Sequence, residues 1–401
     1  MFSLYGFVRA REISMATRAL LSSEMLLVAV CLIVLAGCGT NNNGTQICPL
    51  NSNAGTSVCN CGTSLACRAP AYVYANGIDG NIYTFPVDLN TGGLGTPTSI
   101  TGVSNSLGMA ALNNQFLYVS NPAATAGGTS SINAWSINSG TGTLTSIAGS
   151  PFPLGPISLS LGLSTDNTTQ TLYVADAAKI DVLKADVNGA LTEIAGSPFP
   201  TFSGLFLATD SQNRYLFATN DFPPAGVEAF TINSSTGALT LVPGAPFAIG
   251  GGVGSALQVG IAVDPTGSFV YTVLESTNQV AAFSISSPSG MLTPVPGSPF
   301  VCGKTPIAVV AVGHFLYVSN AGDGTLSGYS IDSSSGVLTP LASSPFAIRT
   351  GAMTIDPSGS FLFTSGAGGM LTFSINSTSG TLTQVGSLIP FAGATALAYV
   401  Q

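Results

Sequence analysis

Hydrophobic positions along this chain come in short runs, and the runs repeat. The clearest copy reads Phe315-Leu316-Tyr317-Val318, a short polar loop, Leu326 to Ile331, a turn ending at Gly336, then Val337-Leu338-Thr339, closed by Ser344-Pro345-Phe346. The string returns with anchors at Leu117, Leu172, Leu216, Val270 and Leu362, and in weaker form at Val73, at steps of 44, 55, 44, 54, 46 and 46 residues. A second series, Gly92, Gly142, Gly189, Gly237, Gly290, Gly336 and Gly380, keeps the same beat, each with leucine two residues on. Apolar runs between Gly, Pro, Asn and Ser turns predict short β-strands. A period of this size built from such strands predicts the blades of a β-propeller.

The unit around Val270 predicts four strands: Ile261-Ala262-Val263, Phe269 to Thr272, Val280 to Ile285, and Leu292 to Val295. Between the first two stands Asp264-Pro265-Thr266-Gly267, where proline presets one dihedral and glycine admits positive φ. Second strands are apolar throughout, as expected of a sheet covered on both faces by its neighbours. Third strands carry one large residue at a matching place: Phe85, Trp135, Leu183, Phe230, Phe283, Tyr329 and Phe373. Recurrence in every unit predicts blade-to-blade packing rather than a ligand platform. The Pro-Phe closers, such as Pro151-Phe152 and Pro390-Phe391, are expected to end the outer strand and wedge phenylalanine between blades.

The two ends are complementary. The first unit opens at Ala71-Tyr72-Val73-Tyr74, which matches a second strand, and the last segment, Ala394 to Val400, matches a first strand. The expectation is an all-β, seven-bladed β-propeller of four-stranded blades, with N- and C-terminal strands sharing one blade. Closure leaves no open ring edge, and a monomer is expected.

Composition changes the picture mainly at the N-terminus. Among 401 residues only 6% are charged, but 45% hydrophobic content argues against disorder. Arg9, Arg11 and Arg18 precede an apolar run from Met25 to Leu35, which ends Leu35-Ala36-Gly37-Cys38. A basic region, an apolar region and small residues before a cleavage point predict export, with the chain starting at Met1 or Met15. This junction resembles the lipobox of bacterial lipoproteins. The resemblance implies cleavage before Cys38, lipid on its sulfur and a membrane-anchored protein of the bacterial cell envelope. Cys38→Ser is then expected to move the protein from the membrane to the soluble envelope fraction; retention in the membrane would refute the anchor.

Residues 1–37 are thus expected as leader, 38–70 as a Cys-containing tether, and 71–401 as the propeller. Cys48, Cys59, Cys61 and Cys67 in an exported chain predict two disulfides, with three pairings open. Cys302 is left as a packed small hydrophobe. No metal site and no cofactor are expected. The net charge of −8 and the lack of a basic patch speak against nucleic acid.

Phe-Leu-Tyr-Val-Ser-Asn strands, Ser-Gly-x-Leu-Thr turns and Gly-Ser-Pro-Phe closers together resemble the bacterial lactonase-type seven-bladed propellers, 6-phosphogluconolactonase-like and cycloisomerase-like, over residues 71–401. That resemblance implies hydrolysis of a sugar lactone at one end of the central channel. Lactone hydrolysis needs a base for water and donors for the oxyanion. The face bearing the connections from second to third strands, here called the top, offers Glu275 as base, with Lys304 and Arg349 as positive charge. Asn121, Asp176, Asn220 and Asn320 share one repeat position there. They are candidates for a polar ring at the channel mouth, or for turn caps. Isolated loop charges are ordinarily solvated. His314 falls on the opposite face. Phosphorylated sugar lactones are cytosolic and a phosphate pocket wants converging cations. The first expectation is therefore an envelope module that binds a protein or glycan; the alternative is a lactone hydrolase at the channel mouth.

Overall fold

The computed structural model describes residues 69–104, 106–122, 129–154, 160–176, 178–202, 204–221, 225–249, 258–366 and 368–401. The leader, the tether and their cysteines, Cys38, Cys48, Cys59, Cys61 and Cys67, lie outside these residues. Seven antiparallel sheets stand in a ring. We number the blades 1 to 7 from the N-terminal one and name their strands inner, second, third and outer. In blade 1, Ala71–Gly77 is the second strand, Asn81–Val87 the third and Thr98–Thr101 the outer. The inner strand is Ala394–Val400, paired along Ala71–Gly77 from Tyr72↔Val400 to Gly77↔Ala394. Inner strands of successive blades touch all the way round, and Ala394–Val400 meets both Met109–Leu112 of blade 2 and Met353–Ile355 of blade 7. The seven-bladed ring closed by its own two ends is therefore observed.

The seven large third-strand residues are all buried, from Phe85 and Phe283 to Trp135. The two repeat series of the sequence interlock. The tyrosine one residue beyond each anchor donates its hydroxyl hydrogen across the seam to the glycine carbonyl of the next blade: Tyr74 to Gly142, Tyr118 to Gly189, Tyr173 to Gly237, Tyr271 to Gly336 and Tyr317 to Gly380, at 2.7–3.1 Å. Burial pushes these phenols up, so they remain donors. The residue just before each anchor lies against the same glycine, as Tyr72 does at Gly142 and Phe315 at Gly380. At Gly336, φ is +75° and a Cβ would sit 2.4 Å from Phe269 Cδ1, so both the turn and the contact require glycine. Phe217 and Phe363 replace the tyrosine in blades 4 and 7. At the first of these seams Arg214 bridges instead, to Gly267 O and Ser287 Oγ at 3.4 Å. At the second, Phe363 stacks on Tyr399.

The Pro-Phe closers differ from expectation in part. Phe152, Phe199, Phe247 and Phe300 extend their own blade by two residues, pairing with its third strand. In three of these blades the serine before proline accepts a third-strand N–H, as Ser150 Oγ does from Ala134 at 2.9 Å, and blade 4 has Ala245 instead. The outer strand is only three or four residues long in these blades, so the closer satisfies backbone donors it leaves behind. Phe391 does wedge between blades, edge-on to Tyr83 and Phe85 of blade 1.

Candidate functional site

Second strands end, and inner strands begin, on the top face. At this height two successive blades carry a carboxylate at one repeat position. Asp221 follows the second strand Tyr215–Asn220 of blade 4, and Glu275 follows Phe269–Leu274 of blade 5. The equivalent residues elsewhere are Ile78, Pro122, Ala177, Ala321 and Ala367. Glu275 opens a single 3-10 turn, Glu275–Thr277, which ends on Asn278 at φ +57°.

Asp221 is held by Gln258, the first residue of the inner strand of blade 5. The Gln258 N–H donates to Asp221 Oδ1 at 2.8 Å. Burial pushes the Asp221 carboxyl up to about 7, and the nearby Glu275 charge pushes the same way against the Gln258 hydrogen bond. Burial also raises Glu275, which is half-buried. Two carboxyls with raised proton affinities on successive blades beside the channel mouth are candidates for acid–base chemistry.

Lys304 and Arg349 are exposed. Lys304 lies between blades 5 and 6; its main-chain N–H donates to Asp323 Oδ2 at 2.9 Å. The neighbouring Thr305 N–H donates to Asn278 Oδ1 at 2.7 Å, which ties this segment to the Glu275 turn. Arg349 lies between blades 6 and 7, its side chain beside Gly324. Among the described residues neither cation forms an ion pair. The structure thus sets Glu275, Lys304 and Arg349 on one side of the top face without joining them into one hydrogen-bonded cluster.

The other top-face residues turn inward to their own blades. Asn320 Nδ2 donates to Thr325 Oγ1 and Ser327 Oγ, and Asn121 Nδ2 to Asn133 Oδ1. Asn220 is buried, and its carbonyl accepts from Gln258 Nε2 at 2.7 Å. Asp176, wholly buried, pairs with Lys179 at 3.2 Å, and Lys179 also holds Asp181 at 2.8 Å. Two acidic side chains of this face are therefore structural: Asp176 sits in a buried ion triad. Glu228 lies within the third strand Gly226–Ile232, accepting from Thr201 Oγ1 and Phe202 N–H. Buried acidic side chains are tolerated inside a fold only with close partners.

The opposite channel mouth holds a cavity of about 130 Å³, walled by the lower ends of inner strands in blades 3 to 7 and including Ser164, Thr209, Asp210 and Asp264. Its carboxylates cap turns: Asp264 accepts from the N–H groups of Thr266, Ser268 and Phe269, and Asp210 from those of Arg214 and Tyr215. Cys302 is half-buried, its thiol pushed up to about 12 by burial, which leaves it inert as a nucleophile.

The model of the family described as "Lactonase, 7-bladed beta-propeller" matches residues 260–398, which span blades 5 to 7 and most of the returning inner strand. No curated protein matches the chain. Among solved structures, a 6-phosphogluconolactonase candidate from Bacteroides fragilis superposes with a TM-score of 0.66 at 19% identity, over 84% of this chain and 100% of that one. The periplasmic gluconolactonase of Pseudomonas aeruginosa does so with 0.65 at 17% identity, over 83% and 99%. A further 6-phosphogluconolactonase candidate, from Bacteroides uniformis, gives 0.68 at 15% identity over 83% and 100%. At such identities the likeness is one of fold. Residues 260–398 thus match the lactonase-type propeller family, and the chain as a whole shares the seven-bladed β-propeller fold of these structures.

Proposed function

We propose that the protein is a lactone hydrolase acting at the top channel mouth on an uncharged lactone, outside the cytoplasm and anchored through Cys38. The observation that carries this is the Asp221–Glu275 pair. In this reading Glu275 acts as the carboxylate base and Asp221, its carboxyl pushed up to about 7 by burial, as the acid. Glu275 takes a proton from water as the water oxygen attacks the lactone carbonyl carbon, and the carbonyl electron pair moves to its oxygen. Collapse of that intermediate breaks the ring C–O bond. The Asp221 proton goes to the departing ring oxygen, giving the open hydroxy acid. Lys304 and Arg349 contribute positive potential on the same face for the oxyanion.

The substrate is uncharged because the charge inventory leaves no room for a phosphate. The propeller has five Lys and Arg residues, Lys179, Lys184, Arg214, Lys304 and Arg349. Lys179 and Arg214 are bound to aspartates, and the catalytic pair is itself acidic. Similarity to a periplasmic gluconolactonase removes the conflict between an exported chain and lactone chemistry.

The purified protein is expected to hydrolyse gluconolactone above the spontaneous rate, with much weaker turnover of the 6-phosphorylated form. Glu275→Gln should lower the rate about 10²-fold or more with little change in thermal unfolding. Preferred turnover of the phosphorylated lactone would refute the uncharged-substrate assignment. A protein or glycan-binding module is the second reading, favoured by Phe202 and Val301, which stand 57% and 74% exposed on blade-to-blade connections of the top face. No turnover of any sugar lactone by wild type would leave this one standing.

A further inference from the structure

We propose that Gln258 is the positioning residue of this site, holding Asp221 in place by clamping both stems of the connection that carries it. Gln258 is wholly buried at the seam between blades 4 and 5. Its Nε2 donates to Asn220 O at 2.7 Å, immediately before Asp221, and to Gly226 O at 2.8 Å, where the third strand of blade 4 begins. Both hydrogens of the amide are thus spent on the two ends of one connection. Its Oε1 accepts the Thr272 hydroxyl at 3.2 Å, which fixes the amide orientation from within blade 5. Its main-chain N–H holds Asp221 Oδ1. One residue of blade 5 therefore makes three hydrogen bonds to blade 4 around a single carboxyl.

The same seam lacks the tyrosine latch, since Phe217 stands where five other blades have tyrosine. Among the described residues Glu275 is the titratable group whose charge reaches Asp221. Holding Asp221 beside the strand start, partly buried, raises its hold on the proton toward neutral pH. Releasing the connection would let water in and return the carboxyl to an ordinary acid.

This inference rests on the hydrolase reading only for its catalytic consequence; the geometry is tested separately. The carboxyl of Asp221 in the full chain can be titrated by NMR, assigned by its loss in Asp221→Asn. Wild type should titrate near neutrality. In Gln258→Met, which keeps length and loses the amide, the midpoint should fall by a unit or more, and the alkaline limb of the hydrolysis profile should move to lower pH while KM moves less than kcat. Thr272→Val, which removes the hydroxyl shared between Gln258 Oε1 and Gly260 O, should give a smaller shift of the same sign and guards against a Met variant that fails to fold. An unchanged Asp221 titration in both variants would overturn the role of Gln258. A shifted titration with no lactone hydrolysis in wild type would keep the clamp and refute the hydrolase.

Discussion

A chain ending at Gly393 should not form the propeller. Residues 394–401 supply the inner strand of blade 1, and every residue of Ala394–Val400 is buried. Its loss uncovers the edge of Ala71–Gly77 and strips cover from the inner strands of blades 2 and 7. Leu397, Tyr399 and Val400 are at most 3% exposed, and each buried side chain of this size contributes roughly 1.5–3 kcal/mol. Added to six lost strand pairings, the deletion reaches the whole stability of a typical domain, about 5–15 kcal/mol. The expected product is insoluble or lacks a cooperative thermal transition. Tyr399→Ala gives a graded version, destabilised by about 3–5 kcal/mol with the strand still present. Thermal unfolding of the truncated chain at the wild-type temperature would show that the closing strand is dispensable.

Asp221→Asn is expected to make the protein more stable and less active, with the gain in stability confined to higher pH. The folded state raises the Asp221 pKa from 3.8 to about 7, so it favours the neutral acid. A raised carboxyl costs nothing below the unfolded value. It costs progressively more as pH climbs from about 4 to about 7, and the full amount above that. Asparagine keeps the acceptor for the Gln258 N–H and removes the ionisation. Each pKa unit corresponds to about 1.4 kcal/mol. Discounted for partial exposure, the variant should be more stable than wild type by on the order of 2 kcal/mol at pH 8 and by nothing measurable at pH 4. Hydrolysis should fall about 10²-fold as the proton donor is lost, a trade of function for stability common at active sites. Equal unfolding temperatures of the two proteins at pH 8 would mean that Asp221 ionises freely and is not the acid.

The fold was legible in the sequence because every blade solves the same packing problem. A second strand covered on both faces must be apolar throughout, a tight turn against an aromatic ring must be glycine, and a ring must close on itself. Seven repetitions of those demands leave a period that can be counted. The interlocking of Tyr317 with Gly380 could not be read, since it joins two repeat series through a contact between blades, although each series was visible alone. The acid–base pair was half legible. Asp221 and Glu275 stand at one repeat position in successive blades, where the others have Ile78, Pro122, Ala177, Ala321 and Ala367. Only the ring brings the Glu275 charge within reach of Asp221 across 54 residues of chain and partly buries Asp221. The same tertiary packing buried Asp176 and Glu228, which carry no mark in sequence that separates them from solvated loop acids. Repetition fixes what each blade must do for its neighbour. Burial and partners, which set the proton affinity of a given carboxyl, are decided only at the seam between particular blades.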